Sequence, residues 1–180
     1  MAQLVVGLGN PGPDYLGSRH NIGHDVLDAL GREFRARFRV RGQVALAQSA
    51  WEASRLFLAK PIAFMNESGP PVARLLRDLD LTPADLIVVH DDIDLPLGTV
   101  RIRHKGRHGG HNGVRSLIEA LGTQEFRRVK IGVGRPAAKA EVVEWVLTTF
   151  SPEERQALPE IVDRAVAAVL GLARARLAAG

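Results

Sequence analysis

The chain contains no cysteine, and this absence excludes disulfide frameworks, iron–sulfur clusters, thiolate metal sites and thiol nucleophiles. No apolar run approaches the roughly 18 residues of a membrane-spanning helix, and the first residues lack the basic start and apolar core of a signal peptide. Glycine and proline are scattered rather than massed, which excludes collagen-like and low-complexity chains. We therefore expect a cytoplasmic protein with no membrane association.

The remaining composition is that of an ordinary globular protein. The chain has 180 residues, of which 46% are hydrophobic and 24% are charged, and this size suits one domain with one core. Strand-like and helix-like segments alternate without a linker or an internal repeat. The sequence therefore predicts a single α/β domain over residues 1–180, with a central mixed, mostly parallel β-sheet and helices on both faces.

Hydrophobic patterns place the individual elements of this fold. Short apolar runs predict strands at 4–8, 44–49, 55–59, 86–89, 99–103 and 129–133. Helical periodicity predicts helices at 21–34, 69–79, 114–121, 141–147 and 161–178. Ser68 is a predicted N-terminal cap of the second helix, and Ser151-Pro152-Glu153-Glu154 is an N-terminal helix signature that precedes the segment 161–178.

The segment GLGNPG, at residues 7–12, satisfies the glycine spacing of dinucleotide-binding proteins and follows a strand. A dinucleotide site requires the next helix to begin inside the glycine motif, so that its amides face the pyrophosphate. Pro11 and Pro13 delay the helix here by about ten residues, so we expect neither nicotinamide nor flavin binding.

The six histidines suggest a metal site, because some of them are suitably spaced. His20 and His24 are separated by one helical turn, and three further histidines, at 104, 108 and 111, lie near the acidic segment 91–94. However, His20 precedes the predicted helix, no H-E-x-x-H motif is present, and a glycine-rich loop is a poor scaffold for ligands. We therefore expect no metal.

Polar residues follow several of the predicted strands, and they are Asn10, His20, Asn66, Asp91 and Asn112. Because the carboxyl ends of parallel strands meet at one edge of a sheet, we expect these side chains to lie together. Histidine can act as a base near neutral pH, a carboxylate can orient it, and carboxamides can bind a carbonyl or an oxyanion. The set suits a metal-free hydrolase that activates water, although isolated loop residues are also common turn and capping residues.

Four motifs resemble those of the bacterial-type peptidyl-tRNA hydrolases. They are GLGNPGPDYLGSRHNIG at 7–23, FMNESG at 64–69, HDDIDLPLG at 90–98 and GGHNG at 109–113. They occur in the order of that family and span most of the chain. The resemblance implies an enzyme, free of cofactors, that cleaves the ester between a peptide, or an N-blocked amino acid, and the 3′ end of tRNA, which recycles tRNA from abandoned translation.

The resemblance also implies a catalytic set made of His20, Asp91 and Asn10. His20 would be the general base that deprotonates water, and Asp91 would orient its ring and stabilise the protonated form. Asn10 would contact the substrate near the ester and help to distinguish peptidyl-tRNA from aminoacyl-tRNA with a free, charged amine.

Four further residues would bind the substrate. Tyr15 and Phe64 would line the cleft as flat surfaces for the terminal adenosine or the peptide, and ordinary core packing is the alternative for both. Asn66 and Asn112 would bind the 3′ end and carbonyl groups, and helix capping is the alternative for them.

The basic residues are mostly arginines, and many are clustered at 35–41, 101–108 and 127–130. Such clusters bind phosphates or form the solvated edges of strands. The resemblance favours contacts of Arg103, Lys105, Arg107 and Lys130 with phosphates of the acceptor stem. We expect a monomer without an obligate protein partner.

Two other functions compete with this interpretation. A non-catalytic RNA-binding relative would keep the fold and the basic surface without turnover. A metal-dependent phosphoesterase would use the histidine and aspartate clusters, would release phosphate and would be inhibited by chelation.

Overall fold

A computed structural model describes residues 1–180 and contains seven strands and five α-helices. The strands are β1 (Ala2–Gly7), β2 (Arg39–Arg41), β3 (Val44–Trp51), β4 (Ser54–Pro61), β5 (Leu86–Asp92), β6 (Val100–Arg103) and β7 (Arg127–Gly132). The helices are α1 (Ile22–Glu33), α2 (Gly69–Asp78), α3 (Asn112–Leu121), α4 (Val142–Leu147) and α5 (Pro152–Ala179).

All seven strands form one sheet in the order β2-β3-β4-β1-β5-β7-β6. The central strands β4, β1, β5 and β7 are parallel to one another. Antiparallel pairs add β3 and β2 at one edge and β6 at the other. The prediction of a mixed, mostly parallel sheet is confirmed.

Helices cover both faces of the sheet because alternate residues of the central strands point to opposite sides. Val5 and Val89 belong to a core with residues of α1 and α5. Leu4, Val6 and Val88 belong to a second core with residues of α2 and α3. This arrangement is the predicted α/β/α sandwich.

None of the helices combines the length and the apolar character that crossing a membrane requires.

A buried glutamine joins the first strand to the last helix. Gln3 in β1 is fully buried, and its Nε2 donates a hydrogen bond to the Ala173 carbonyl in α5 (3.0 Å). Its Oε1 accepts a hydrogen bond from Arg127 in β7 (2.9 Å). Both ends of the amide are therefore satisfied, as a buried polar group requires.

Most predicted elements are present, but the predicted cap of α2 is wrong. Ser68 has helical backbone angles, and its hydroxyl donates to the Met65 carbonyl (2.8 Å) instead of capping the helix. The buried amide of Gly69, the first residue of the helix, donates to Ser116 Oγ in α3 (2.8 Å). The sequence did not reveal this cap because the acceptor lies on another helix.

The predicted cap of α5 is correct. Ser151 Oγ accepts a hydrogen bond from the Glu154 amide (3.2 Å), and the Glu154 carboxylate accepts one from the Ser151 amide (2.8 Å). This capping box satisfies two amides of the first turn. The helix begins at Pro152, directly after this cap, and continues through Pro159 into the predicted helical segment 161–178.

The start of α1 lies directly against the ends of two central strands. A Cβ atom on Gly23 would lie 2.5 Å from the Val89 carbonyl oxygen and 2.6 Å from the backbone of Leu8. A Cβ atom on Gly7 would lie 2.2 Å from the Gly23 carbonyl oxygen. Only glycine at both positions allows this contact, which places the residues before α1 beside the end of β5.

We predict that Gly23→Ala destabilises the fold by about 1–3 kcal/mol, because α1 must move away from rigid backbone atoms. Gly171→Ala is the matched control, since Gly171 lies in α5 with open space around the added methyl group. This control should gain up to about 1 kcal/mol through helix propensity. Urea unfolding at neutral pH measures both changes, and equal effects at the two sites would contradict the proposed close contact.

Candidate active site

A pocket of about 410 Å³ lies at the edge of the sheet where the parallel strands end. All seven residues predicted for the site line it, and they are Asn10, Tyr15, His20, Phe64, Asn66, Asp91 and Asn112. They come from segments that follow or end β1, β4 and β5 and from the start of α3. The expectation that the strand ends would bring these side chains together is consistent with this arrangement.

The carboxylate of Asp91 is the centre of the polar network. Asp91 is 1% exposed, and its oxygens lie 2.8 Å from His20 Nδ1 and 2.8 Å from His111 Nε2. Burial raises the pKa of Asp91, but the attraction and hydrogen bonds of the two imidazoles outweigh burial and hold this pKa well below its usual range. Asp91 is therefore an ionised acceptor for two rings.

The helix cap at α3 fixes the tautomer of His111. His111 Nδ1 accepts hydrogen bonds from the amides of Gly113 (3.1 Å) and Val114 (3.3 Å). Nδ1 therefore carries no proton, and Nε2 carries the proton that is donated to Asp91. Sequence patterns indicated His111 only as a metal ligand. Its position directly before a helix was the signal for a cap.

His20 lies in a 3-10 turn, Arg19–Asn21, immediately before α1. Because Asp91 can only accept, His20 Nδ1 must donate to it, and this arrangement leaves the lone pair of Nε2 free. His20 lines the pocket, although the residue is only 9% exposed. The ring therefore has the orientation and tautomer of a general base.

Arg19 attaches this turn to the C-terminal third of the chain. Its guanidinium lies 3.5 Å from the centre of the Trp145 ring and donates to the carbonyls of Trp145 (3.2 Å) and Thr148 (3.3 Å). It also pairs with Glu154 at 2.6 Å. Arg19 thus connects the turn that holds His20 to α4 and to the start of α5.

The loop after β1 is closed by a pair of asparagines. The Asn10 amide donates to Asn21 Oδ1 (2.8 Å), and Asn21 Nδ2 donates to the Asn10 carbonyl (2.9 Å). The side-chain oxygen of Asn10 accepts a hydrogen bond from the Met65 amide (2.7 Å). Since this oxygen is occupied, the NH2 group of Asn10 is its remaining donor. No local sequence pattern indicated these roles of Asn21 and Met65.

The other four predicted residues form the rim of the pocket. Phe64 is 54% exposed, and its ring meets that of Tyr15 edge-on with 6.5 Å between centres. Core packing is therefore wrong as an explanation of Phe64. Asn66 and Asn112 are exposed, and neither caps a helix, because His111 caps α3 and no side chain caps the turn of Asn66.

An apolar wall completes the pocket, and the sequence analysis did not predict its role. It is formed by residues of α4, namely Val142, Val143, Val146 and Leu147. Val143 is 71% exposed, although it is a large apolar side chain. The pocket therefore has a polar side with the imidazoles and an apolar side.

Three groups in the pocket are close enough to hold a metal, since donor atoms of His20, Asp91 and His111 lie within 4.8 Å of one another. A metal on His111 Nε2 would move the proton of this ring to Nδ1 and break the cap of α3. The hydrogen bonding of these residues is therefore better suited to two N–H donors than to an ion.

His24, which was considered as a second ligand, does not line the pocket. Its ring packs against Gly9, where an added Cβ would lie 2.7 Å from it, and its Nε2 donates to the Pro61 carbonyl (3.1 Å). Only a 3-10 turn, Pro13–Tyr15, directly follows the glycine motif, and the next α-helix begins at Ile22, so no α-helix starts inside the motif. This placement agrees with the expectation that the glycine motif binds no dinucleotide.

The fold and the pocket together define a class of protein. Strand ends of an α/β sheet present an ionised carboxylate, an oriented imidazole with a free nitrogen, and side-chain amides around a cavity. These are the groups of a hydrolase that activates water with a histidine base.

Comparisons with known proteins identify the family. The model of the peptidyl-tRNA hydrolase family matches residues 4–179, so the chain belongs to this family. A peptidyl-tRNA hydrolase from Symbiobacterium thermophilum is 48% identical over 172 residues, which cover 94% of this chain and 91% of that protein. One from Aquifex aeolicus is 46% identical over 165 residues, with coverage of 91% and 86%. The crystal structure of peptidyl-tRNA hydrolase from Acinetobacter baumannii matches with a TM-score of 0.92 at 29% identity and covers 98% of this chain and 90% of that one.

Two buried histidines make the fold sensitive to acid. Burial, assisted by the Lys60 ammonium, lowers the pKa of His24 to about 4. Burial, assisted by His111, lowers the pKa of His90 to about 3. Between these values and the ordinary 6.5, the unfolded chain binds protons that the folded chain does not bind. Stability from both groups is therefore lost as the pH falls below 6.5.

We predict that His24→Gln, which keeps a donor for the Pro61 carbonyl, loses less stability than the parent chain between pH 7 and pH 5. The difference should be roughly 2 kcal/mol, because one pKa unit corresponds to about 1.4 kcal/mol. Burial raises the pKa of neighbouring Asp25 to about 6, which has the opposite effect, but this group is present in both proteins. Urea unfolding at both pH values measures the difference, and identical losses would contradict the prediction.

Proposed function

We propose that residues 1–180 form one peptidyl-tRNA hydrolase domain, which cleaves the ester between a peptide, or an N-blocked amino acid, and the 3′ end of tRNA. The observation that carries this proposal is the free Nε2 of His20, opposite the Nδ1 that donates to buried Asp91. Membership of the peptidyl-tRNA hydrolase family supplies the substrate. The products are a free carboxylic acid and a tRNA that can be charged again.

The reaction begins when His20 Nε2 removes a proton from a water molecule that attacks the ester carbonyl. The carbonyl oxygen becomes an oxyanion, and the imidazolium of His20 is stabilised by the negative charge of Asp91. The intermediate then breaks the bond to the 3′ oxygen of the ribose, which takes the proton from His20. The oxygen of the attacking water remains in the carboxylic acid. His20 is neutral again because it has given its proton to the ribose oxygen.

Asn10 is placed to select the substrate. Its oxygen is fixed by the Met65 amide, so its NH2 group is available to a carbonyl of the peptide or the blocking group. A substrate with a free α-ammonium group offers no such carbonyl and loses hydration when it enters the pocket. The amide therefore favours peptidyl-tRNA over aminoacyl-tRNA.

The rim residues hold the two ends of the substrate. Tyr15 and Phe64 present ring surfaces for the terminal adenosine or the peptide, since bases stack well on aromatic side chains. Asn66 and Asn112 have uncommitted amides that can donate to carbonyl oxygens and to the developing oxyanion.

Basic residues beside the pocket provide the contacts with RNA. Arg103, Lys105 and Arg107 are exposed on β6 and the following loop, and Lys130 lines the pocket. They can bind phosphates of the acceptor stem without reading its sequence. A cytoplasmic monomer without a permanent protein partner is the simplest form of such an enzyme, since its substrate arises in translation.

A non-catalytic RNA-binding relative is not favoured as an alternative. Such a protein needs a basic surface, but it has no use for a buried carboxylate that orients an imidazole. Burying the Asp91 carboxylate costs free energy, and only the hydrogen bonds from the His20 and His111 rings offset this cost.

The direct experiment compares hydrolysis of N-acetyl-aminoacyl-tRNA and free aminoacyl-tRNA by protein treated with a chelator. Cleavage that is restricted to the blocked substrate and resists chelation is the expected result. Tight tRNA binding without cleavage would replace this proposal by the RNA-binding alternative, and activity that requires added metal would replace it by metal chemistry.

We predict that His20→Ala lowers kcat by about 10²–10⁴-fold, while KM for tRNA changes little, because only the proton transfer is lost. His104→Ala is the control, since His104 is exposed and does not line the pocket. Steady-state kinetics measures both variants, and circular dichroism checks their folding. Comparable loss of binding by His20→Ala would remove its assignment as the base.

We predict that Asn10→Asp reduces the preference for blocked over free aminoacyl-tRNA by about tenfold or more, as expected for one lost hydrogen bond to a substrate carbonyl. The aspartate keeps an acceptor for the Met65 amide but lacks the NH2 donor. Asn10→Ala lacks both groups and should also lose stability. The ratio of kcat/KM for the two substrates is the measurement, and an unchanged ratio in Asn10→Asp would refute the selective role.

A further inference from the structure

The face of the β6–β7 pair that carries the predicted RNA contacts is unusual because cations stand directly opposite cations. The register pairs Arg101 with Lys130 and Arg103 with Arg128. Like charges in directly opposed positions destabilise a sheet. The only carboxylate that pairs with any of the four is Asp92, which lies 3.6 Å from Lys130. The face therefore has a positive charge that an external anion can neutralise.

Arg128 differs from the other three cations because it is buried. It is 1% exposed and pairs with no carboxylate, and burial lowers its pKa to about 10. Its guanidinium donates to three backbone carbonyls, those of Arg107 (2.8 Å), Gln124 (3.0 Å) and Gly106. An ion buried without a counter-ion is costly, so these bonds hold the carbonyls at a definite place.

The carbonyls of Gly106 and Arg107 belong to the loop between β6 and α3. This loop is held at two points, because Arg128 binds it at 106–107 and Asp91 binds its last residue, His111, at 2.8 Å. Only three residues separate the two points, and two of them, Gly109 and Gly110, have positive φ angles of 60° and 87°. The position of Arg107 is thereby fixed relative to the catalytic carboxylate.

We infer that Arg128 is a positioning residue for RNA binding. By bonding to the backbone of Gly106 and Arg107, it holds the β6–α3 loop in the position from which the loop cations can contact phosphates of the acceptor stem. This inference rests on the proposed function. Arg128 itself does not contact the RNA, because the residue is buried and both of its Nη atoms are committed to backbone carbonyls. The planar guanidinium of Arg128 is required for this role, because the single ammonium of a lysine cannot bond to the three carbonyls in this geometry.

Arg127 provides a matched control. Burial also lowers its pKa to about 10, and its guanidinium also donates to backbone carbonyls, those of Leu172 (3.3 Å) and Ala84 (3.2 Å). These carbonyls lie on α5 and before β5, so neither belongs to the β6–α3 loop. Arg127→Met and Arg128→Met therefore remove similar groups, but only the second releases the loop.

The experiment measures hydrolysis of two substrates by the parent chain, Arg128→Met, Arg128→Lys and Arg127→Met. One substrate is N-acetyl-aminoacyl-tRNA, and the other is the same N-acetyl-aminoacyl ester on adenosine alone. We expect Arg128→Met to raise KM for the tRNA about tenfold, the effect of one lost charge-assisted contact, with little change in kcat. The adenosine ester should be cleaved as by the parent chain.

Arg128→Lys separates positioning from charge. It keeps the positive charge but not the fork, so we expect it to raise KM for the tRNA nearly as much as Arg128→Met. The slope of log KM against log salt should also become smaller by about 0.7–0.9, the change expected for one phosphate contact. A lysine variant that behaves like the parent chain would show that only charge matters and would overturn the inference.

Two other results would also overturn it. One is an equal rise of KM in Arg127→Met, which would indicate general loss of structure, and the other is an equal loss of activity on the adenosine ester, which would place the effect in the pocket. If Arg128→Met does not fold, Arg128→Lys decides alone. Failure of the parent chain to cleave either ester would reject the proposed function itself, which is a separate outcome.

Discussion

The buried carboxylate of Asp91 is the constraint on which the rest of the site depends. A carboxylate without water requires donors, and both donors come from other parts of the chain, His20 before α1 and His111 at the start of α3. The three elements must therefore converge at the end of β5. The close contact between Gly7 and Gly23 allows α1 to start beside the end of β5. The short glycine-rich loop before α3 places His111 against the same carboxylate. The pocket lies where these elements meet, and His20, Asp91 and His111 all line it.

Stability and chemistry share residues in this protein. His111 caps a helix with one nitrogen and binds Asp91 with the other, so its tautomer is determined by the fold. Arg19 supports the catalytic turn and the apolar wall at the same time, through Trp145 and Glu154. Because each of these groups has several partners, substitutions of them alter local structure and reactivity together.

Elements with a strong local signal could be predicted from the sequence. The buried runs of β1 and β5 and the capping box at Ser151 depend on neighbours in the sequence. Strand β2 was not predicted, because its three residues are exposed and its only signal is the pairing with β3.

The same distinction applies to the site. Polar residues at strand ends were found because parallel strands bring their ends together, and all of them line the pocket. The supporting residues were missed because their partners are distant in sequence, as with Asn10 and Met65 or Gly69 and Ser116. The valines of α4 have an apolar pattern that resembles that of any core helix. Only the tertiary structure shows that they face a cavity.

The link between Gln3 and α5 has a consequence for the order of folding. Strand β1 precedes its neighbours β4 and β5 in the chain, and the partner of Gln3 is Ala173, 170 positions further along. Contacts this distant in sequence slow folding, since a long loop must close before they stabilise the chain. During synthesis, the central strand therefore lacks this partner until α5 has been made. A nascent chain that stops before α5 would lack this link and would leave the Gln3 amide without its carbonyl partner.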